Sequence, residues 1–346
     1  MASPFYTLFC MGNPLLDMQV TNGEALLEKY KIKANDAILA SSTHAPIYEE
    51  LVKEHKVTYV AGGAAQNTAR GAAYILPPKS VVYTGCVGDD DLAEQLKAAN
   101  KREGLDEVYL VRKGDKTGAC AVIITGHNRS LVTDLRSAEK FELSHLSSPS
   151  VAPLVEAAKV FYVEGYFLTH GADIVLALSQ KSSAAGKIFA LNLSAPFIPQ
   201  FFNDKLKAIL PYCDIIFGNE TEAEMWANSN GLSGTTDLAT IAKAIVLSPK
   251  ENTAQPRIVV LTHGAEPTVL VSSAEPDKPK FFKVTALKDE QIVDTNGAGD
   301  AFAGGFLAAL ISGKNWDQCV ETAHVMGSMC IQESGPQYKW PKVNVF

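Results

Sequence analysis

From about residue 80 to the C-terminus, short apolar runs alternate with helical patterns, and nothing else in the chain constrains the fold as much. Val81-Val82-Tyr83-Thr84 precedes a helix predicted near Asp91 to Asn100, and Val160-Phe161-Tyr162-Val163 precedes one near Ala172 to Ala185. Lys187 to Asn192 is the next strand. Ile215-Ile216-Phe217 then leads into a helix from about Thr221, and Arg257 to Leu261 is a further strand. Such runs lack a polar face, so the strands are buried on both sides and the intervening helices supply the cover. The expected class is α/β: a doubly wound, mostly parallel sheet with a small β-sheet lid.

The lid is read from two stretches that break the alternation. Residues 17–60 hold a helix near Glu24 to Tyr30 and a short strand, Ala37 to Ala40. Residues 116–136 read as a hairpin, Gly118 to Ile124 and Ser130 to Thr133, turning at Gly126-His127-Asn128, where glycine and asparagine accept positive φ. The expected division is a large domain of residues 1–16, 61–115 and 137–346 and a lid of residues 17–60 and 116–136. Polar stretches near 144–153, 248–256 and 273–279 are read as surface loops.

Composition removes several function classes. A chain of 346 residues that is 47% hydrophobic buries a sizeable core, which excludes global disorder. With 31 basic and 38 acidic residues, a net charge of −7 argues against a nucleic-acid partner. It leaves room for a small anion held by backbone amides, which carry no formal charge. Cysteines 10, 86, 120, 213, 319 and 330 form no C-x-x-C pair and no zinc-like cluster, so reduced thiols in a cytoplasmic protein are expected. The N-terminal residues lack a basic region ahead of an apolar one, and no signal peptide is read. The longest apolar helix, Ala301 to Ile311, falls short of the ~20 residues of a membrane span, so no membrane partner is expected.

The strongest chemical motif is Gln291 to Phe302, in which a strand-like piece enters a glycine-rich turn and then a helix of small residues. Gly297 and Gly299 allow a sharp turn and a close approach, and the unpaired N–H groups of the helix start favour an anion. Asp300 sits at that start. It either stabilises the helix terminus or accepts the proton of an attacking hydroxyl. The motif is neither a P-loop nor a dinucleotide fingerprint, since no G-x-x-x-x-G-K-[ST] occurs and the third glycine position falls on Phe302.

Four further segments carry weaker signals. Ala61 to Asn67 is a second glycine turn opening a helix, with Asn67 offering donor and acceptor or merely solvated. Gly12-Asn13-Pro14-Leu15-Leu16-Asp17 is either an ordinary turn or one whose Asp17 binds sugar hydroxyls. In Gly218-Asn219-Glu220-Thr221-Glu222 the acids either cap a helix or order magnesium-bound water beside a polyphosphate. Arg129, in the predicted lid, is a surface residue or a movable cation for a transferring phosphoryl group.

Taken together and in order, these segments resemble the ribokinase-like family of sugar and nucleoside kinases. Thr117 to Cys120 and Asn128 to Leu131 share in the resemblance, and Leu191 to Phe197 and Gly218 to Glu222 resemble its adenosine-phosphorylating members in particular. The resemblance spans nearly the whole chain. It implies transfer of the γ-phosphate of ATP to the 5′-hydroxyl of adenosine, with Mg²⁺ and, as in some relatives, a monovalent cation such as K⁺. It implies Asp300 as base and the amides of Gly297, Ala298 and Gly299 as an anion hole, with Arg129 closing over the phosphates. Asp17, Gly63 and Asn67 would hold the ribose, with Asn13 and Asn296 nearby. Leu39, Leu131, Leu135, Phe167 and Phe197 would wall the purine. Asn219 and Glu222 would organise phosphates and, through water, Mg²⁺. Ser194, Thr262, Gly264 and His324 would lie along the nucleotide. A one-sheet lid points to a monomer, and a nuclear pool beside the cytoplasmic one stays open.

The chain departs from the pattern at three positions. Ala37 stands in the Asn35-Asp36-x-Ile38-Leu39 run where glutamine is expected, Ala64 where a hydroxyl is expected, and Thr133 where a small apolar residue is usual. All three touch base preference rather than phosphoryl transfer. The rival readings are a kinase for inosine, guanosine or ribose, and a nucleoside-binding regulator without turnover.

Overall fold

The computed structural model describes residues 6–34, 36–126 and 128–346. Asn35, the hairpin-turn residue His127 and the first five residues of the N-terminal reading lie outside them.

The apolar runs behave as double-sided strands should. Along Leu8–Met11 and Val160–Glu164, alternate residues enter two separate cores. Phe9, Met11, Phe161 and Val163 pack on one face, and Leu8, Cys10, Val160 and Tyr162 on the other. Helices Leu168–Ala184, Glu220–Ser229 and Leu238–Leu247 cover the first face. Helices Ala64–Ile75, Ala298–Ile311 and Trp316–Cys330 cover the second.

Among the described residues the large sheet has nine strands. From Ile258–His263 the order runs through Ile215–Asn219, Ile188–Asn192, Val160–Glu164, Leu8–Met11 and Val81–Thr84 to Asp106–Glu107, all parallel. Two strands that the sequence reading did not place, Glu266–Ser272 and Lys280–Phe282, extend the opposite edge antiparallel. The first described strand, Leu8–Met11, lies inside this sheet. The chain winds first toward Val81–Thr84 and later toward Ile188–Asn192, so strand order reverses beside Leu8–Met11. At such a reversal the loops leaving the strand C-termini part and open a crevice.

The lid is a second sheet of five strands in the order Ala37–Leu39, Asn128–Asp134, Gly118–Thr125, Leu15–Thr21 and Thr58–Gly62. Its outer face packs Met18, Val20, Ala121, Ile123 and Val132 against helices Glu24–Tyr30 and Ile47–Glu54. With the period of two, its inner face carries Leu15, Asp17, Cys120, Leu131 and Thr133 toward the crevice.

Three local expectations differ. The strand-like piece before the glycine turn is a single 3₁₀ turn, Asp289–Gln291, followed by irregular chain whose Val293 and Asp294 amides bond the Ile331 carbonyl. It meets no strand edge, so the apolar Ile292-Val293 pair stays exposed. The polar stretch near 144–153 holds the short helix Leu143–Leu146. The helix expected from Ala172 starts earlier, at Leu168, with non-helical backbone at Gly171.

Candidate active site

The crevice is a cleft of about 1880 Å³ between the lid and the strand C-termini. That exceeds the ~300–1,000 Å³ of a pocket for one small molecule, so the cleft has room for two ligands side by side. Asp17, Ala37, Leu39, Gly63, Ala64, Asn67, Leu131, Thr133, Leu135 and Phe197 line the part under the lid. Asn219, Glu222, Thr262, Gly264 and His324 line the far part, and Asn13, Ser194, Asn296, Gly297, Ala298, Gly299 and Asp300 also face the cleft.

Two glycines are fixed by geometry. Gly297 caps helix Ala298–Ile311 with φ +76°, and a Cβ there would lie 2.5 Å from Pro336 Cβ. Gly63 opens helix Ala64–Ile75 with φ +89°, and its Cβ would lie 2.2 Å from the Asn13 carbonyl oxygen. No side chain caps the Gly297 end of this helix. Ala298 N–H turns back toward the Thr295 carbonyl at 3.3 Å. A Cβ on Gly299 would meet nothing within 4 Å, so this side of the turn opens into the cleft.

Three buried carboxyls, Asp17, Glu164 and Glu222, and the half-buried Asp300 face the same space. Burial raises Asp300 and Asp17 to about 7, Glu222 to about 7 and Glu164 to about 8. Hydrogen bonding and charge oppose this rise at Asp300. Its Oδ2 accepts from Asn67 Nδ2 at 2.9 Å, and the Arg70 guanidinium pulls in the same direction. Asp17 is drawn down by Arg129 and Arg70 and pushed up by Asp294 and Asp300. Asn296 Nδ2 lies 3.5 Å from Asp17 Oδ2. Asn13 is buried, its Oδ1 bonded to His170 Nε2 at 2.9 Å, while its Nδ2 has no partner among the described residues. A buried donor of this kind is costly unless a ligand meets it.

The far part is built differently. Asn219 and Glu222 form a reciprocal capping box at the start of helix Glu220–Ser229. Asn219 Oδ1 accepts from the Glu222 amide at 2.9 Å, and Glu222 Oε2 accepts from the Asn219 amide at 3.0 Å. Ser194 Oγ accepts from Gly165 N–H at 2.8 Å, and His324 Nε2 bonds Thr268 Oγ1 at 2.8 Å. Burial lowers His324, keeping its ring neutral.

Two residues stand elsewhere than expected. Phe167 does not line the cleft; it is buried against Phe141 and His170, and its neighbour Tyr166 faces the cleft in its place. Inside the short helix Gly165–Phe167 one step along the chain reverses which ring points inward. Arg129 does not line the cleft either. Its Nε pairs with Asp294, which also accepts from the Asn296 and Gly335 amides. The lid cation is therefore docked on the loop that leads into the glycine turn.

The sequence reading missed Glu164. Its two oxygens accept from the Asn13 amide at 2.7 Å and the Ala65 amide at 2.6 Å, tying the first motif to the second. It also missed the cleft wall Val284 to Leu287, an irregular stretch after the last strand. Glu164 ends an apolar strand, where an acid reads as a strand terminus. Val284 to Leu287 carries no motif at all.

A parallel sheet that reverses at its first strand, a second sheet closing the crevice, and an uncapped glycine helix start with an acid in its first turn define a kinase of the sugar and nucleoside type. The pattern of the pfkB family of carbohydrate kinases matches residues 24–343, and the chain belongs to that family. It is 66% identical over 340 residues to the adenosine kinase of Schizophyllum commune, covering 98% of this chain and 99% of that one. The crystal structure of Anopheles gambiae adenosine kinase in complex with P1,P4-di(adenosine-5) tetraphosphate superposes with a TM-score of 0.92 at 40% identity, covering 97% of each chain. Schistosoma mansoni adenosine kinase in complex with 2-fluoroadenosine superposes at 0.91 with 34% identity, covering 98% of each.

Proposed function

We propose that this protein transfers the γ-phosphoryl group of ATP to the 5′-hydroxyl of adenosine, giving AMP and ADP. The carrying observation is the position of Asp300. It faces the cleft beside the uncapped glycine turn and is hydrogen-bonded to Asn67. Adenosine lies under the lid. Asp17, Asn67 and Asn13 offer the acceptors and the unpartnered donor that ribose hydroxyls need, and Leu39, Leu131, Leu135, Phe197 and Tyr166 supply an apolar wall for the base. ATP lies in the far part, along Thr262, Gly264, His324 and Ser194. Similarity to adenosine kinases over the whole chain supports the same assignment.

In the transfer, the 5′-oxygen forms a bond to the γ-phosphorus while the bond from that phosphorus to the bridging oxygen of ADP breaks. Asp300 takes the hydroxyl proton, and a pKa near 7 suits a base working at neutral pH. The amides of Gly297 and Gly299 face the charge on the transferring group, and the Ala298 amide joins them by leaving the Thr295 carbonyl. The closed lid keeps water out of the space between donor and acceptor.

The residues also fit Mg²⁺. Among the described residues no cluster of three or more His, Cys, Asp or Glu forms a metal cage. The ion would therefore arrive with the nucleotide and keep its waters, with Glu222 as the acid that orders them. Bound there, it would neutralise phosphate charge. A K⁺ beside the glycine turn would rest on main-chain carbonyls, because Asp294 is already engaged by Arg129 and two amides. Among the described residues no helix is long and apolar enough to cross a membrane. We place the enzyme in the cytoplasm as a monomer.

The test is ATP turnover with adenosine, inosine, guanosine, ribose and no acceptor. Magnesium-dependent turnover confined to adenosine supports the reading. Turnover with another acceptor alone would move the specificity to the Ala37, Ala64 and Thr133 pocket, and adenosine binding without turnover would make the protein a regulator.

A further inference from the structure

Asp300 does not stand alone against its neighbours. Behind it lies a buried polar chain that the proposed reaction does not itself require. Asn67 donates to Asp300 through Nδ2, and its Oδ1 accepts from Arg70 Nη2 at 3.2 Å. Arg70 Nη2 also donates to the Pro336 carbonyl, and Arg70 Nε lies 3.6 Å from Glu103 Oε2. Arg70 and Glu103 are both fully buried. Tyr338 Oη donates to the Asn67 carbonyl at 3.3 Å, and Pro336 backs Gly297, so the C-terminal segment closes the chain on both sides.

This arrangement solves an orientation problem. An asparagine amide has nearly the same shape either way round, but only its nitrogen donates. With the oxygen turned toward Asp300, two acceptors would face each other. A guanidinium can only donate, so it fixes the Asn67 oxygen on its own side and thereby aims the Asn67 nitrogen at the carboxylate. We infer that Arg70, which touches no ligand, is a positioning residue that locks the Asn67 amide and through it holds the base, Asp300, aimed and ionised. The inference rests on the kinase reading above.

The charges around Asp300 give the lock a second consequence. Asp300 is faced by Asp17 from the lid, by Tyr162, Glu164 and Tyr166 from the central strand and its exit, by Glu222 from the far wall, and by Cys330 and Tyr338 from the C-terminal side. All of these are neutral or acidic. Arg70 is the cation that draws Asp300 down.

The test compares wild type, Arg70→Met and Arg70→Lys by kcat, by KM for each substrate, and by the pH dependence of kcat/KM with adenosine. With Arg70→Met we expect kcat to fall by about 10–10²-fold, the scale of a misplaced catalytic group. The acid limb should move up by about one pH unit, with KM for ATP within about twofold. Arg70→Lys keeps the charge and should keep the limb near its wild-type position. A folded Arg70→Met enzyme with wild-type kcat and limb overturns the inference. So do two variants equally slow with unmoved limbs, which would make Arg70 a packing residue. If the methionine variant does not fold, Arg70→Gln replaces it. A shifted limb in Arg70→Gln but not in Arg70→Lys supports the lock, and equal limbs refute it. Wild-type enzyme runs alongside, and its failure to turn over adenosine would instead sink the kinase reading.

Discussion

Replacing Glu164 tests how far the Asn13 and Gly63 turns, already joined by the pairing of Leu15 with Gly62, depend on one buried side chain. Glu164 is 1% exposed and accepts the amides of Asn13 and Ala65 at 2.7 and 2.6 Å. Alanine there would leave two buried N–H groups without an acceptor, at about 1–3 kcal/mol each, or about 2–6 kcal/mol together. The loss should fall in the lower half of that range. Burial already pushes this carboxyl up to about 8, so removing it also removes a desolvated acid. Glutamine keeps one acceptor but sets an amide nitrogen against the other N–H. Its expected cost is about 1–3 kcal/mol. Urea unfolding reads the stability, and initial rates read the KM for adenosine. That KM should rise by about tenfold as the Asn13 and Ala65 amides lose their shared acceptor and the two turns lose their exact placement, while the KM for ATP stays close to wild type. Glu164→Gln with unchanged midpoint and unchanged KM would refute the reasoning, because neither turn would then depend on the bridge.

Two further perturbations follow from the same site. Arg129→Ala strips a buried ion pair and leaves Asp294 buried, at about 3–5 kcal/mol. It should lower the melting temperature and lower kcat more than adenosine affinity, and calorimetry with kinetics would expose the opposite pattern. The ligand-free protein should also lose stability as pH rises from about 4 to about 7–8. Asp17, Glu164, Glu222 and Asp300 have folded pKa values raised from 3.8 or 4.5, so in that window the folded state binds more protons than the unfolded one. Their contribution is fully present below the unfolded values and is gone above the folded ones. A melting temperature that climbs across that range would contradict the raised values.

What the sequence makes legible divides along physical lines. Val81–Thr84 and Ile215–Asn219 are buried on both faces and read directly as apolar runs, as does the helix of small residues after Gly297. Leu15–Thr21 escaped because its cleft face carries Asp17 and Gln19, buried polar residues that interrupt the apolar signal. Thr58–Gly62 is a lid edge with two exposed positions, and the eight-residue helix Ile47–Glu54 is too short for its periodicity to stand out. At the site, the glycines and Asp300 announce themselves because turns and helix starts have local rules. Glu164, Arg70 and the Asp294 partner of Arg129 do not. Their partners are 99 and 151 residues away for Glu164, and 266 away for the Pro336 carbonyl that Arg70 meets. Only the folded chain brings such pairs together. The exchange of Phe167 for Tyr166 has the same origin, since a 3₁₀ turn sets which ring faces the cleft.

The most direct measurement pairs the turnover of Asp300→Ala with its affinity for adenosine by calorimetry. The account predicts a folded variant that binds adenosine near the wild-type affinity and loses about 10²–10⁴-fold in kcat, the contribution of a positioned base. A variant that turns over adenosine at close to the wild-type rate would contradict it and leave Asp300 a helix-terminus acid.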